Sequence, residues 1–554
     1  MIGYLCKYTP TELFLGFGET PELIDPQPAA GQEADVHPNL CSFAKSAYSH
    51  CAQNKIGQIV ATNCCDSIKR IYDALGEKTS FRAMLNLPRV QTPGAVRLYA
   101  AELKGLIRAY ETAAGKAFNK DSFKKAITAA PASKAPTEDH IAVLGARMPS
   151  RLLETARECC SLPILDYTCT GQTRGFGPMP DTDGLDALLE WYAGELLAQI
   201  PCMRMQDVSQ RSAFASNPHL KGILYHTIKF CDYYGFEYAD LKKISALPIL
   251  KLETDYTDAG EGQLKTRLQA FYESLGILTE PETRQATTPK RITMQDNHVK
   301  YYAGIDSGST STDAVLIDSG RSILGYSIVP TGGRSIDGAR SALEDVLAKC
   351  GIEKDRVTGI IATGYGRNAV EMGDPVTEIT CHAKGAFFLN PRVRTIVDIG
   401  GQDSKIIKLD GNGNILDFTM NDKCAAGTGR FLEMMAHTLA VGLEEFAAMG
   451  LNWTEDIKIS SMCSVFAESE VISLIAQNKA KPDIVHGINQ AITTRIYAMI
   501  ARLNCSPVYM MTGGVAKNKG VVMELSKKLG EEIAIGKEPQ ICGALGAALI
   551  ASER

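Results

Sequence analysis

Two cysteines of this 554-residue chain stand just before segments with a helical pattern, a position where a thiolate is chemically useful. Cys424 lies in NDKCAAGTGRFLEMM, and Cys463 lies in SSMCSVFAESEV. The free N–H groups and the dipole at the start of a helix stabilise negative charge. Both cysteines are therefore candidate metal or redox ligands.

The chain has 16 cysteines in total, and most of them precede residue 286. No signal-peptide pattern and no run of 18 apolar residues occurs, so we expect a cytoplasmic protein that does not bind a membrane. A reducing cytoplasm leaves thiols free for metal or redox chemistry. Several cysteines follow predicted strands: Cys64 and Cys65 follow QIVATN, Cys169 follows LPILDYT, and Cys231 follows GILYHTIKF.

Acid- and glycine-rich turns follow apolar strands in the second half of the chain. In AGIDSGSTSTDAVLID, the Asp306 carboxylate can hold hydrated Mg²⁺ while the turn directs N–H groups and hydroxyls at a phosphate. Similar turns occur in RTIVDIGGQDSKIIKLD and YMMTGGVAKNKG. The candidate MgATP-binding residues are Asp306, Gly308, Ser309, Thr310, Ser311, Asp398, Gly400, Gly401, Gln402, Asp403, Gly513, Gly514 and Lys517.

The elements that must position these residues divide into two modules. Residues 1–285 alternate apolar strands with helical patterns, which predicts doubly wound parallel sheets. Residues 286–299 are polar and lack helical or strand periodicity, so we predict a linker there. Residues 300–554 resume as strand, turn and strand. We predict an α/β protein with two modules.

Composition narrows the function classes. The net charge is −5, and there is no long run of lysine or arginine, so we expect no nucleic-acid partner. The nine histidines show no His-x₃-His spacing, which does not favour a zinc site.

The segment 300–554 resembles the ATPases of the actin, hexokinase and heat-shock chaperone superfamily, with phosphate loops at 305–312 and 398–404 and an adenosine loop at 512–516. This resemblance implies two ribonuclease-H-like subdomains. Within the superfamily, the segment is similar to the activators of 2-hydroxyacyl-CoA dehydratases and benzoyl-CoA reductases. That likeness implies that Cys424 and Cys463 of two subunits together ligate one [4Fe–4S] cluster, and hence a homodimer.

The N-terminal pieces NLCSFAKSAYSHC, NCCDSIKRIYD and KFCDYYG resemble the subunits of 2-hydroxyacyl-CoA dehydratases and benzoyl-CoA reductases. The resemblance implies a [4Fe–4S] cluster with three cysteine ligands at the active site, best matched by Cys41, Cys65 and Cys231. Cys64 stays open as an alternative to Cys65, because adjacent residues on an extended segment point in opposite directions.

Further cysteines make the module similar to the double-cubane relatives of the dehydratases, whose six cysteines hold an [8Fe–9S] cluster. The six candidate ligands are then Cys41, Cys51, Cys65, Cys169, Cys202 and Cys231. The remaining cysteines are assigned to the hydrophobic core, namely Cys6, Cys159, Cys160, Cys350, Cys381, Cys505 and Cys542.

The combined resemblance predicts ATP-driven, low-potential electron transfer from the activator cluster to an N-terminal cluster that reduces a small molecule. Electrons would come from a ferredoxin or flavodoxin. One alternative is a 2-hydroxyacyl-CoA dehydratase fused to its own activator, with one N-terminal [4Fe–4S] cluster and an acyl-CoA substrate. Another is an electron donor that activates a separate dehydratase.

Overall fold

The computed structural model describes most of the chain in two compact units. The described residues are 2–26, 36–37, 40–54, 56–130, 136–171, 175–207, 211, 216–229, 231–256, 261–279, 299–421, 425–459 and 464–554. The first unit comprises Met1–Leu268 and Ile277–Glu280, and the second comprises Gln269–Gly276 and Pro281–Arg554. The linker predicted at 286–299 lies almost wholly outside the described residues, so its boundaries stay a prediction.

The first unit contains two four-stranded parallel sheets. The strands are β1 (Ile2–Tyr4), β2 (Pro21–Leu23), β3 (Gln58–Thr62), β4 (Phe81–Leu85), β5 (His140–Gly145), β6 (Ile164–Asp166), β7 (Leu220–Ile228) and β8 (Ile249–Thr254). Their spatial orders are β2-β1-β3-β4 and β6-β5-β7-β8. Each sheet therefore repeats the order 2-1-3-4, which is typical of doubly wound folds.

Helices connect these strands. They are α1 (Thr11–Leu15), α2 (Ser42–Gln53), α3 (Asp66–Leu75), α4 (Pro93–Ala114), α5 (Lys120–Ala129), α6 (Ser150–Cys159), α7 (Leu185–Ala198), α8 (Asp232–Ile244) and α9 (Glu261–Leu275), the last of which crosses the division between the units. Local sequence sets their ends, as α4 shows. The Thr92 hydroxyl accepts a hydrogen bond from the Ala95 N–H, Pro93 occupies the first turn, and Gly115 ends the helix at a φ of 64°.

The second unit contains two five-stranded sheets of mixed direction. Its strands are β9 (Tyr301–Ser307), β10 (Ser311–Asp318), β11 (Ile323–Pro330), β12 (Val357–Thr363), β13 (Asp374–Pro375), β14 (Thr395–Ile399), β15 (Ser404–Leu409), β16 (Ile415–Asn421), β17 (Tyr509–Thr512) and β18 (Ile533–Ile535). The sheet orders are β11-β10-β9-β12-β13 and β16-β15-β14-β17-β18. In the first sheet, neighbouring strands among β9, β10 and β11 are antiparallel, and β12 and β13 run parallel to β9. In the second sheet, neighbouring strands among β14, β15 and β16 are antiparallel, and β17 and β18 run parallel to β14. This repeated 3-2-1-4-5 order confirms the predicted pair of ribonuclease-H-like subdomains.

The helices of the second unit are α10 (Ser335–Cys350), α11 (Glu378–Leu389), α12 (Gly429–Thr438), α13 (Leu443–Met449), α14 (Ser464–Ala476), α15 (Lys481–Arg502), α16 (Lys519–Leu529) and α17 (Cys542–Glu553). Helices α11 and α17 pack closely against each other where each has a glycine residue. A Cβ on Gly546 would overlap the Cys381 carbonyl, and a Cβ on Gly385 would overlap the Cys542 carbonyl. This reciprocal fit holds the two helices at backbone contact distance.

Helices α4 and α15 are the longest described, at 22 residues each. Neither they nor any other described helix combines the length and apolar character that crossing a membrane requires.

Candidate functional site

A cavity in the first unit is lined by seven cysteines. Its volume is about 60 Å³, several times the space that one water molecule needs. The lining cysteines are Cys6, Cys41, Cys64, Cys65, Cys169, Cys202 and Cys231. The charged lining residues are Arg89, Arg147 and Arg204, and no described aspartate or glutamate lines the cavity. The cavity therefore combines many sulfur atoms with positive charge.

Strand order explains why these cysteines meet. In a 2-1-3-4 sheet, ligands bind at the carboxyl ends of strands 1 and 3, where the connections diverge. Cys6 follows β1, and Cys64 and Cys65 follow β3, so these three residues lie at that point of the first sheet. Cys169 follows β6 and Cys231 follows β7, which belong to the second sheet. Both sheets contribute to one cavity.

Three of the cysteines are N-cap residues. Cys41 precedes α2, Cys65 precedes α3, and Cys231 precedes α8. Burial raises the pKa of Cys41, and it raises the pKa of Cys231 to about 11. Backbone N–H groups in the first turn of each helix oppose this rise. These helix ends therefore favour the anionic, metal-binding form of the thiols.

The structure does not bring Cys51 to the cavity. Cys51 lies in the last turn of α2, where it is buried in the hydrophobic core. Cys41 is ten residues earlier, and ten residues of α-helix span about 15 Å. One small cavity cannot receive both thiols. Cys6, which the sequence assigned to the core, lines the cavity instead.

Six of the cysteines act electrostatically on one another or on Lys7. Burial raises the pKa of Cys231, and the charges of Cys41 and Cys65 raise it further. Burial also raises the pKa of Cys169, and the charge of Cys231 in turn adds to that rise. Cys6, Cys169 and Cys202 all act on the buried ammonium of Lys7. Burial lowers the pKa of Lys7, and these three thiols oppose the decrease.

Cys64 is hydrogen-bonded to both Cys6 and Cys65. A hydrogen bond to Cys6 raises the pKa of Cys64 to about 12, and Cys65 is its neighbour on the other side. Cys64 and Cys65 thus both face the cavity, so the choice between them stays open.

Arg204 is the cation in closest contact with the cysteines. Its guanidinium lies 3.9 Å from the Cys202 sulfur and packs over the Tyr233 ring, 4.8 Å from the ring centroid. Burial alone would lower the pKa of Arg204, but Tyr234, Cys202 and Cys65 keep it above the ordinary value. The Arg204 Nε is buried and lacks a hydrogen-bond acceptor among the described residues.

This donor set fits an iron–sulfur cluster better than a single metal ion. No three His, Cys, Asp or Glu side chains in the described part of the chain converge closely enough to hold one ion. The thiolates of a cluster bind different iron atoms, so they surround a larger space than the ligands of one zinc ion. An acceptor inside the cavity would also satisfy the buried Arg204 Nε.

The second unit places the predicted phosphate loops opposite each other. A Cβ on Gly401 would overlap the Thr310 hydroxyl, so the loops after β9 and β14 touch. The third loop joins them: Gly513, at a φ of 83°, approaches the Ile399 carbonyl and the Asp398 carboxylate. All three loops therefore border one site.

Within that site, Lys405 is a buried cation among carboxylates. Its Nζ lies 2.8 Å from Asp403, 3.1 Å from Asp398 and 3.4 Å from Glu378. Burial lowers the pKa of this lysine, but the three carboxylates raise it well above its ordinary value. Burial also raises the pKa of Asp306 to about 7, helped by Asp313 and opposed by Lys405. The surplus of carboxylates suits a divalent cation such as Mg²⁺.

His382 separates the two strand-end aspartates. Its Nε2 lies 3.8 Å from Asp306 and its Nδ1 lies 3.7 Å from Asp398. Burial lowers the pKa of His382 and favours the neutral ring, although Asp398 opposes the shift. Thr512 donates a hydrogen bond to Asp398 at 2.9 Å.

The other predicted nucleotide residues lie around this core. Lys517 pairs with Glu538 at 2.9 Å and donates to Gln540 at 3.1 Å, and Gln540 donates to the Ser311 hydroxyl at 2.8 Å. Gly514 and Lys517 bound the short 3₁₀ turn Gly514–Lys517. In the first two loops, Gly308 packs against the Ser311 carbonyl, and the Gly400 N–H bonds the Asp403 carbonyl at 3.0 Å.

Cys424 and Cys463 lie outside the described residues, but the turn after Cys424 is described. The Gly429 and Arg430 N–H groups at the start of α12 donate to the Gly400 and Gly401 carbonyls, both at 2.8 Å. The second phosphate loop is therefore hydrogen-bonded to the helix that follows Cys424.

Sequence reasoning missed Cys6, Lys405, His382 and Arg204. A signal existed for two of them: Cys6 directly follows the apolar strand in MIGYLC, and Lys405 interrupts the apolar pattern of SKIIKL just after a phosphate loop. His382 and Arg204 carry no such local pattern, because distant strands create their surroundings.

The fold and loops of the second unit define an actin- and hexokinase-like ATPase. Residues 303–551 match the BadF/BadG/BcrA/BcrD ATPase family, and through them the chain belongs to that family. Residues 6–135 and 140–275 match the family of the 2-hydroxyglutaryl-CoA dehydratase D-component. The chain is thus a fusion of a dehydratase-like part and an ATP-hydrolysing activator part.

Individual proteins are similar to part of the chain. The 2-hydroxyisocaproyl-CoA dehydratase activator of Clostridioides difficile is 41% identical over 45% of this chain and 94% of its own length. The activator of lactoyl-CoA dehydratase of Anaerotignum propionicum is 44% identical over 46% of this chain and 98% of its own length. The crystal structure of (R)-2-hydroxyglutaryl-CoA dehydratase component A of Acidaminococcus fermentans is 42% identical, with a TM-score of 0.45, and covers 46% of this chain and 98% of that chain.

Proposed function

We propose that the chain is an ATP-dependent iron–sulfur reductase with two cysteine-bound cluster sites. ATP hydrolysis in the second unit drives an electron from a cluster at Cys424 and Cys463 to a cluster in the seven-cysteine cavity, where a small molecule is reduced. The observation that carries the proposal is that cavity, in which cysteines from both sheets meet beside buried positive charge.

The number of cavity cysteines supports a double-cubane cluster. Three thiols serve each cubane if Cys41, Cys65 and Cys231 bind one and Cys6, Cys169 and Cys202 bind the other. Six thiolates match the [8Fe–9S] cluster, with Cys6 taking the place predicted for Cys51. When bound, such a cluster supplies one-electron chemistry at low potential.

The protein residues have separate tasks in this scheme. The N-termini of α2, α3 and α8 stabilise thiolates, Lys7 and Arg204 offset the negative charge of the sulfur ligands, and apolar side chains exclude water from the cavity.

MgATP binding is assigned to the loops of the second unit. Asp306 and Asp398 hold the metal, and the facing turns at Thr310 and Gly401 supply N–H and hydroxyl groups to the phosphates. The hydrogen bonds from Gly429 and Arg430 to the second loop support transmission of the nucleotide state to α12.

The functional unit is a homodimer, because two cysteines of one chain supply half of a four-thiolate cluster. Helix α14 supports a subunit contact there, since it exposes Val465, Phe466 and Ile472 by 54–68%. The physiological donor is a ferredoxin or flavodoxin in the cytoplasm.

The match to the dehydratase D-component favours a second candidate, a 2-hydroxyacyl-CoA dehydratase fused to its activator. This candidate needs one N-terminal [4Fe–4S] cluster, held by Cys41, Cys65 and Cys231. Cys6, Cys169 and Cys202 would then carry no iron.

Iron and sulfide analysis of the anaerobically purified chain tests the proposal. A double cubane plus half of a shared cluster gives about ten irons per chain, a single N-terminal cubane gives about six, and the shared cluster alone gives about two. We expect Cys6→Ser to lose about four irons and the matched variant Cys51→Ser to lose none. About six irons in the unmodified chain, unchanged in Cys6→Ser, would favour the dehydratase. About two irons would favour an activator of a separate dehydratase.

A further inference from the structure

Arg204 has the geometry of a residue that acts on a bound group in the cavity. Its side chain lines the cavity, and one guanidinium nitrogen contacts the Cys202 sulfur at 3.9 Å. The guanidinium also packs against Tyr233 and Tyr234, with distances of 4.8 and 6.0 Å to the ring centroids. These rings fix its position without using its N–H donors.

The Nε–H of Arg204 has no acceptor among the described residues although the atom is buried. A buried donor without an acceptor is destabilising, so a group that brings an acceptor to this donor would bind favourably. The cavity wall offers sulfur and apolar groups and, as far as the chain is described, no carboxylate. An acceptor on a group that enters the cavity would satisfy this donor.

The charge of Arg204 also reaches nearly every cavity thiol. Its charge acts to lower the pKa of Cys41, Cys64, Cys65, Cys169, Cys202 and Cys231. Arg147 lines the same cavity, but its guanidinium already bonds the Ile24 carbonyl at 2.6 Å and Asp25 at 2.7 Å. Arg89 is exposed to solvent, which screens its charge.

We propose that Arg204 is a positioning residue that donates its Nε–H to a sulfur of the N-terminal cluster and raises the reduction potential of that cluster. The inference rests on the proposed function, because it requires a cluster in the cavity. Net charge and hydrogen bonds to sulfur are two determinants of cluster potential. Since reduction adds negative charge, a nearby fixed cation favours the reduced form.

The test is a redox titration of the full-length, cluster-loaded protein, in which the EPR signal of the N-terminal cluster measures the extent of reduction. In Arg204→Gln we expect the reduction equilibrium constant to fall at least tenfold, which corresponds to 59 mV for one electron. Arg204→Lys keeps the charge and should recover part of the loss. The matched control Arg89→Gln, which changes an exposed arginine of the same cavity, should shift the constant less than twofold.

Iron content separates the possible failures. If Arg204→Gln keeps the iron content of the unmodified protein and also its potential, the inference is wrong while the proposed function stands. Equal shifts in Arg204→Gln and Arg89→Gln would also overturn it. If Arg204→Gln loses iron, Arg204→Lys decides: retained iron with a lowered potential supports the inference, and loss of iron in both variants overturns it in favour of a purely structural role. Absence of N-terminal iron in the unmodified protein would contradict the proposed function itself.

Discussion

Lys405 and Arg204 illustrate how one buried cation organises the groups around it. Lys405 balances three carboxylates in the nucleotide site, and Arg204 lies among the cavity thiols. Removing one partner of a buried ion pair leaves the other charge uncompensated, which typically costs about 3–5 kcal/mol. Both cations therefore stabilise the folded structure of their sites, in addition to any part they take in the reaction.

His226 is a buried neutral group that fixes the cavity wall. Its Nδ1 donates to the Ala146 carbonyl at 3.1 Å, because a carbonyl can only accept, and its Nε2 accepts from the Thr254 hydroxyl at 2.9 Å. Burial lowers the pKa of His226 to about 4, whereas an unfolded chain has a value of about 6.5.

This shift predicts a pH-dependent stability. As the pH falls from about 6.5 to about 4, the unfolded chain binds a proton that the folded chain does not, so stability is lost over that window and the loss ends below it. Between pH 7 and pH 5 the loss is about 2 kcal/mol, from about 1.5 pH units at 1.36 kcal/mol each.

Urea unfolding at both pH values measures the effect, in a Trp453→Phe background where Trp191 reports on the first unit. His226→Gln removes the titrating group, so its destabilisation relative to the parent should be about 2 kcal/mol smaller at pH 5 than at pH 7. An equal difference at the two pH values would contradict the assigned protonation state.

At the scale of elements, helix α11 carries His382 and Glu378 to the nucleotide site, and its contact with α17 fixes their position. The contact depends on glycine, since Gly385 and Gly546 each approach a carbonyl of the opposite helix. On α17, Gly543 likewise leaves room for the Asp306 carboxylate and the His382 ring.

Gly546→Ala should therefore destabilise the second unit by about 1–3 kcal/mol, the usual cost of overpacking. The control Gly105→Ala lies in α4, where nothing surrounds the new Cβ, and should stabilise the first unit by about 0.5–1 kcal/mol. Urea unfolding checks both, with Trp453 as the reporter for the second unit and Trp191 for the first. Stabilisation of the second unit by Gly546→Ala would show that α11 and α17 are not packed as described.

Element patterns also explain what the sequence could predict. Apolar strands followed by turns and helices predicted the α/β fold and placed Cys65, Cys169 and Cys231 near ligand-binding edges, whereas Cys41 was predicted from the family resemblance. The sequence could not show that residues 42–53 form one helix, which carries Cys51 away from the cavity. Cys6 follows an apolar strand in the sequence, but the strand order that puts β1 where the connections diverge depends on pairing with distant strands.

At the scale of the whole molecule, one chain combines a cysteine-lined cavity with an ATPase. Two separate family matches agree on this organisation. Under the proposed function, covalent fusion raises the effective concentration of the electron donor near its acceptor. The convergence of Arg204, Lys405 and His382 with their partners depends on long-range topology, which a sequence pattern does not contain.

The central claim is that ATP hydrolysis in the second unit drives an electron into the cluster of the first. The direct test is freeze-quenched EPR of the anaerobic, chemically prereduced protein, recorded before and after MgATP is added, with ADP measured in the same samples. We predict that the signal of the reduced N-terminal cluster appears only with MgATP, in proportion to ADP formed, and is absent in Asp306→Asn. Equal reduction without ATP, or ADP formation without any change at the N-terminal cluster, would contradict the account.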